Sequence, residues 1–380
     1  MTTYRPSWAE IDVDAVRANV GLLCRLVAPA RLCAVVKADG YGHGSVEVAR
    51  AALAGGAAML AVALVEEAVT LREAGVEAPL LLLTEAPADA LDTLGALGAA
   101  PTVYSESGID GVAGVATRLG QRVAVHLKVD TGMHRVGADP AEVPGLAGRI
   151  VASPQLAFGG LWTHFAVADD PDDPFTVIQI ERFEAALAAV RAGGRRPEIV
   201  HAANSAGAIA HPRSRYDLVR CGIACYGHAP SPQVGALLGG IVGPGERLRP
   251  ALALKSRVHC VRRLAAGERT SYGRTYELAA DSDVADVPLG YADGVRRQLG
   301  SAAGEVLIGG RRRRLAGTVT MDQLIVDCGS AGDVRAGDEV VLLGRQGSEE
   351  ITVEEWAERL GTIVYEVLCG IGGRVPRRVV

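Results

Sequence analysis

The chain is predicted to be α/β, with an N-terminal (β/α)8 TIM-like barrel followed by a C-terminal mostly-β domain. Three observations predict this. From about residue 30 to 225, short apolar runs alternate with longer alanine-rich amphipathic segments, giving eight β-then-α units at roughly 20–30 residue intervals. From about residue 240 the texture changes to short strands separated by Gly, Pro and Asp turns. Finally, Lys37, Asp130 to Arg135, His164, Asn204-Ser205 and Arg220 each fall at or just past the C-terminal end of a different strand candidate. That is the face on which barrel enzymes place their chemistry. Alternation alone leaves a doubly wound sheet close behind, and the placement of the polar residues decides for the barrel.

In order, the barrel strands are expected at 32–37, 59–63, 80–83, 101–104, 123–129, 156–162, 198–202 and 217–220. Apolar spacing and alanine content predict helices at 45–55, 64–75, 105–119 and 176–193. The Gly- and Pro-rich stretch 229–247 reads as the junction. The domains are accordingly 1–240 and 241–380, with the first dozen residues expected to pair with the C-terminal domain. There, strands are expected at 251–263, 284–289, 305–309, 315–319, 323–327 and 339–343, interrupted by one helix near 353–360.

The 380 residues suffice for two domains and a large core. About half are hydrophobic, but no apolar run approaches the ~18–20 residues of a membrane span, and the N-terminus lacks a signal pattern. Seven scattered cysteines form no zinc spacing, so a reduced, cytoplasmic protein without a metal is expected. The net charge of -5 argues against nucleic acid as a partner. The basic run Arg311 to Arg314 follows Gly309-Gly310 and reads as a solvated hairpin end.

Residues 33–44, CAVVKADGYGHG, carry the sharpest chemical signal. A buried strand ends in Lys37, and a glycine-bounded turn with Tyr41 and His43 follows. A lysine at such a position can be held neutral by desolvation and neighbouring cations, and a neutral amine forms Schiff bases. Read one by one, the other candidates have plain alternatives. Arg220 suits a salt bridge at a domain seam, Tyr272 a packed turn, and His164 an ordinary core histidine.

Read together, VVKADGYGHG, HLKVDTGMHRVG, WTHFAVAD, HAANSAG, RCGIACYG, SYGRTY, GYADG, VTMDQ and IVYEVLCGIGGRVPR resemble the alanine racemases, in the family's order and over essentially the whole chain. The resemblance implies pyridoxal 5'-phosphate as cofactor, held by Lys37 as a Schiff base. It also implies interconversion of L- and D-alanine by two bases on opposite faces of the substrate, supplying D-alanine for peptidoglycan. Lys37 matches one base. Tyr272 matches the other, which in the family comes from the partner subunit of a homodimer, so that the active sites are shared.

By the same resemblance, Arg220 matches the arginine facing the pyridine nitrogen. It donates to that nitrogen without protonating it, which implies a brief carbanion and little transamination. His201 matches the residue that fixes Arg220. Tyr41, Ser205, the N–H groups of Gly222 and Ile223, and Tyr365 match the phosphate cradle, with Asn204 beside it and His164 near the cofactor ring. Arg135 matches a contact to the cofactor's phenolic oxygen and the substrate carboxylate. Lys128 matches a lysine that many members carry as a carbamate, which would hold Arg135. Met321 and Asp322 match partner-subunit residues that bind the carboxylate. Tyr276, Tyr291, Arg297 and Asp169 match the substrate entryway. Bulky Tyr276 and Tyr365 favour a methyl-sized side chain, with serine as a weaker substrate. Thr320 and Gly373 depart from the residues many relatives carry. Three rivals remain: a racemase for serine or a broader set, a decarboxylase of the same architecture, and a noncatalytic cofactor-binding protein resembling the barrel alone. Arg220 and the β domain with Tyr272 speak against the last two.

Overall fold

The computed structural model describes residues 4–380. Residues 1–3, at the head of the stretch expected to pair with the β domain, lie outside the described residues. The chain divides into two compact units. One comprises Asp14–Gly40 and Ser45–Arg249; the other comprises the chain up to Val13, Tyr41–Gly44 and Pro250–Val380.

The first unit is a barrel. After the N-terminal strand β1 (Trp8–Ile11), which belongs to the other unit, its strands are β2 (Arg31–Val35), β3 (Met59–Val62), β4 (Leu80–Leu82), β5 (Thr102–Val103), β6 (Val123–Lys128), β7 (Leu156–Trp162), β8 (Ile199–His201) and β9 (Leu218–Cys221). They are joined in the order β4-β3-β2-β9-β8-β7-β6-β5, with parallel pairing throughout. The ring is nearly closed by a bridge from Leu81 to Ala100, just before β5. There Leu82 N–H donates to Ala100 O at 2.9 Å and Ala100 N–H to Leu80 O at 2.8 Å.

These strands are continuous apolar runs because side chains are buried on both faces of a parallel sheet. Leu80, Leu81 and Leu82 are all inside. The helices contribute one apolar stripe each. Ile109, Val112 and Ala116 of helix Glu106–Leu119 pack with Leu146 and Ile150 of helix Val143–Ala152 and with Val103, Val125 and Leu127. Ser105 begins the first of these helices by accepting from Gly108 N–H at 2.9 Å, and Gly120 ends it in the left-handed conformation.

The second unit is mostly strand. Beyond β1 it holds β10 (Leu252–Arg257), β11 (Cys260–Leu264), β12 (Arg269–Thr270), β13 (Tyr276–Glu277), β14 (Ser282–Val287), β15 (Glu305–Ile308), β16 (Arg311–Arg314), β17 (Leu324–Asp327), β18 (Glu339–Gln346), β19 (Glu349–Ile351) and β20 (Arg377–Val379). The larger sheet runs β16-β15-β18-β10-β1-β20, with β19 on β18; β11-β14-β17 form a second sheet and β12-β13 a ribbon. The N-terminal strand thus sits between β10 and β20, the latter at the far end of the chain.

Three local expectations are corrected. The expected strand 251–263 breaks at Val258–His259 into β10 and β11. No strand occupies 315–319; the strand is the basic run itself, β16, paired with β15 across the Gly309-Gly310 turn. Arginines persist in a strand here because each has a partner. Arg313 is buried and held by Cys328 O and by Asp333 at 2.8 Å, while Arg312 reaches Glu305, Glu349 and Glu355. Beside the expected helix Val353–Leu360 lies a second short one, Val364–Cys369.

Candidate active site

In the barrel, eight of the expected residues gather at or just beyond the C-terminal ends of strands. Lys37 lies two residues past β2, Lys128 ends β6, and His164 follows β7. His201 ends β8, with Asn204 and Ser205 next. Arg220 lies in β9, and Gly222 follows it. Ile223 opens the 3-10 turn after β9, and Arg135 sits on the loop after β6, exposed.

The backbone beyond Lys37 is unusual. Ala38, Asp39, Gly40 and Tyr41 all have positive φ, 53°, 51°, 60° and 52°, making one left-handed turn. For L-residues this costs about 1–2 kcal/mol each. Two carboxylates hold it. Glu67 accepts from Ala38 N–H at 2.6 Å while its other oxygen accepts from Ala63 and Leu64. Asp39 accepts from Ser45 N–H at 2.9 Å.

Arg220 is 3% exposed and makes no ion pair with a carboxylate among the described residues. Its Nη2 donates to Thr163 O at 2.7 Å and Ala202 O at 2.9 Å, and lies 3.3 Å from His164 Nδ1; its Nη1 donates to His201 Nδ1 at 2.9 Å. Burial pulls its pKa down to about 10, so it stays charged at neutral pH. Burial first, then Arg220, keep both His164 and His201 well below the usual imidazole range. Lys128 lies over the Trp162 ring, 4.5 Å from its centroid, and the Arg220 guanidinium lies 4.4 Å from the same ring. Burial, then Arg220 and Arg135, bring Lys128 down to about 7, against the opposing pull of Asp130. The barrel therefore concentrates Lys37, Lys128, Arg135 and Arg220, and their mutual repulsion is felt by His164 as well. Such a cluster suits a ligand with several negative charges.

Ser205 Oγ accepts from Gly222 N–H at 2.9 Å and Ala224 N–H at 3.5 Å. The Gly222 N–H expected to face an anion is thus paired with the serine, whose hydroxyl hydrogen is the donor left to a ligand. Asn204 caps helix Ser205–Ala210 through Gly207 N–H at 2.9 Å.

In the β unit, Tyr41 and Tyr365 have ring centroids 6.0 Å apart. Gly42 packs against Leu368, where a Cβ would come within 2.4 Å of the carbonyl oxygen. Tyr272, 72% exposed, sits on a turn between Ser271 (φ 60°) and Gly273 (φ 75°). That turn is fastened by Ser271 Oγ to Thr318 O, and by Thr318 Oγ to Tyr272 O at 3.1 Å. Tyr291 and Met321 are also exposed. Their loops run back to back, with Tyr291 N–H donating to Thr320 O at 2.9 Å, and a Cβ at Gly290 would strike Thr320 O and Met321 O at 2.3 Å. Asp322 pairs with Arg374 at 2.7 Å. Tyr276 is committed locally: its hydroxyl donates to Asp327 at 2.9 Å and Arg314 lies over its ring. Arg297 and Asp169 are exposed.

Sequence reasoning placed Asp130 at a strand end without giving it a role, and missed several other supports. Asp130 shapes the Arg135 loop by accepting from Gly132 and His134 N–H, each at 3.0 Å. Buried Gln179 holds the loops after β6 and β7, reaching Thr131 Oγ, His164 O and Ala166 N–H. Glu67, His126 and Trp162 were also missed. The contacts that matter here, Glu67 to Ala38 and His126 and Trp162 to His201, join residues distant in sequence. A groove of about 710 Å³ lined by Asp130, His134, Asp139 and Arg182 includes none of the expected cofactor-holding residues.

Comparison with known proteins agrees with the two-part fold. Residues 11–230 match the family model for the alanine racemase N-terminal domain, and 251–379 that for the C-terminal domain. An alanine racemase of Symbiobacterium thermophilum is 49% identical over 98% of this chain and 97% of its own length; that of Frankia casuarinae is 43% identical over 98% and 96%. The crystal structure of alanine racemase from D-cycloserine-producing Streptomyces lavendulae superposes with a TM-score of 0.91 at 40% identity, covering 100% of this chain and 98% of that one. The Bacillus anthracis enzyme with bound L-Ala-P gives 0.92 at 35% identity, covering 100% and 96%. The class is a barrel isomerase with an appended β domain. The chain belongs to the alanine racemase family.

Proposed function

We propose that this chain interconverts L- and D-alanine with pyridoxal 5'-phosphate held at Lys37. The observation that carries the reading is the barrel's cluster of Lys37, Lys128, Arg135 and Arg220, a cationic site in which Arg220 has no carboxylate partner among the described residues. A phosphorylated, phenolate-bearing ring supplies the missing negative charge, so the residues fit the cofactor. When bound, it withdraws electron density from the substrate's α-carbon.

The chain's own groups do the rest. Lys37 takes or gives the proton at the α-carbon on one face, and Tyr272 of a second copy does so on the other, in a homodimer. Support for the second assignment is the exposure of Tyr272 on a fastened turn, with Met321 and Tyr291 exposed on the same unit. Arg220 faces the ring nitrogen as a donor that keeps its own proton. The phosphate is held by the Ser205 hydroxyl, the Ile223 N–H, Tyr41 and Tyr365, with Gly222 and Asn204 shaping the loop. His164 lies against the ring. Arg135, Met321 and Asp322 orient the substrate carboxylate, and Tyr291 with Tyr276 narrows the entry. Lys128, neutral above about pH 7, suits addition of CO2 to give a carbamate that anchors Arg135. The product supplies D-alanine for peptidoglycan in the cytoplasm.

The test is chiral chromatography after incubating purified, cofactor-loaded protein with L-alanine, and with L-serine and L-lysine in parallel. Alanine should converge on a racemate. Unchanged L-alanine beside racemised serine or lysine would move the chain to a sister specificity, and no conversion of any would remove the reading.

A further inference from the structure

Beyond Arg220 and His201 lies a third buried group with no assigned task. His126, 2% exposed on β6, places its Nδ1 2.9 Å from His201 Nε2. The hydrogen bonds of this chain have one possible direction. A guanidinium only donates, so His201 Nδ1, at 2.9 Å from Arg220 Nη1, must be bare. A neutral His201 then carries its proton on Nε2, and that proton needs an acceptor. His126 Nδ1 is the group within reach. Burial, then Arg220, bring His126 down to about 4, so it stays neutral and able to accept at physiological pH.

The barrel makes room for this imidazole. The β6–β7 register shifts between Val125 and His126. Opposite His126 stand Gly159 and Gly160; a Cβ on Gly160 would lie 2.3 Å from His126 Nδ1, and one on Gly159 3.4 Å from Nε2. Trp162 sets the plane of the middle ring, stacking on His201 at 5.5 Å and 7° while also lying against Arg220. Two glycines, a bulge and a stacked indole converge on one arrangement of three side chains.

We propose that His126 is a positioning residue: it holds His201 in the one tautomer that accepts from Arg220, and so fixes the guanidinium that faces the cofactor ring. This rests on the role given to Arg220 above. Without an acceptor at 126, His201 leaves a buried N–H unpaired or turns over, and in turning it presents a second donor to Arg220. Arg220 then loses one of its fixed contacts, and the ring nitrogen its fixed donor.

The first measurement is long-range 1H–15N correlation on holoenzyme carrying 15N-histidine. His201 and His126 should both be protonated on Nε2 and bare on Nδ1 across the neutral range; a His201 protonated on Nδ1 would overturn the proposal. The second compares His126→Leu, which deletes the acceptor, with His126→Asn, whose amide oxygen stands near the place of Nδ1. In His126→Leu, kcat should fall about tenfold with KM within about twofold. The fraction of turnovers ending in pyruvate and aminated cofactor should rise about tenfold, and His126→Asn should bring both back to within about threefold of wild type. Equal partition to pyruvate in the two variants would overturn the claim. Should His126→Leu not fold, the tautomer spectrum and the Asn variant's partition decide it. A wild-type holoenzyme that leaves alanine unconverted would strike the proposed function instead, while the His201 tautomer judges the positioning claim separately.

Discussion

Lys128 shows how far one side chain depends on its surroundings. A lysine in water is an ammonium up to about pH 10.4; here burial, Arg220 and Arg135 bring it to about 7. Above that value the folded protein holds a neutral amine, the form that adds CO2 and releases a proton. Below it the ammonium forms and no nucleophile remains. With 13C-labelled bicarbonate, a carbamate carbon resonance is expected at pH 8.5 and should fade as pH drops through about 7, while Lys128→Met shows none. A resonance of equal strength at pH 6, or one that survives in Lys128→Met, would contradict the assignment. The sequence marked Lys128 only through family likeness. Its depressed pKa arises from burial first and then from Arg220, 92 positions away, and no local pattern announces such an encounter.

Elements are legible in the sequence where burial is uniform. Leu80–Leu82 and Leu156–Trp162 read as strands because both faces of a barrel strand are covered. Helix Val353–Leu360 was legible because Thr352 caps it and Gly361 ends it. The failures are equally physical. β16 is held by carboxylates on other segments, so its four arginines mimic a solvated turn. The left-handed turn after Lys37 includes Ala38 and Tyr41, residue types that do not advertise positive φ, and depends on Glu67 from the next βα unit. Asp293 is another hidden support. Fully buried, it takes both Arg5 nitrogens at 2.8 Å, Arg374 at 3.4 Å and Gly290 N–H at 3.0 Å, tying the N-terminal segment to the loops of Tyr291 and Asp322. Asp293→Ala leaves half-buried Arg5 without its counter-ion and the Gly290 N–H without its acceptor, and should destabilise the β unit by about 1–3 kcal/mol, read in thermal or denaturant unfolding. A loss under about 1 kcal/mol would show that the knot is dispensable.

At the scale of the whole molecule, Lys37 belongs to the barrel unit and Tyr272 to the β unit. No helix among the described residues is long and apolar enough to cross a membrane. The two-domain plan was legible because the change from βα alternation to turn-rich strands is a change of period. The passage of Tyr41–Gly44 into the β unit was not, for it hangs on the contact of Gly42 with Leu368 and on Arg377 donating to Gly42 O at 2.9 Å. The proposed active site takes its two bases from two copies of the chain, and mixed dimers test this directly. Lys37→Ala and Tyr272→Phe, carrying different tags, are co-expressed and the doubly tagged dimer isolated; each variant alone should be about a thousandfold or more below wild type. If the bases come from different copies, each mixed dimer has one intact site of two, so the isolated hybrid should recover about half the wild-type rate of alanine racemisation. A hybrid no more active than the sum of its parents would contradict the shared site and return Tyr272 to its own chain.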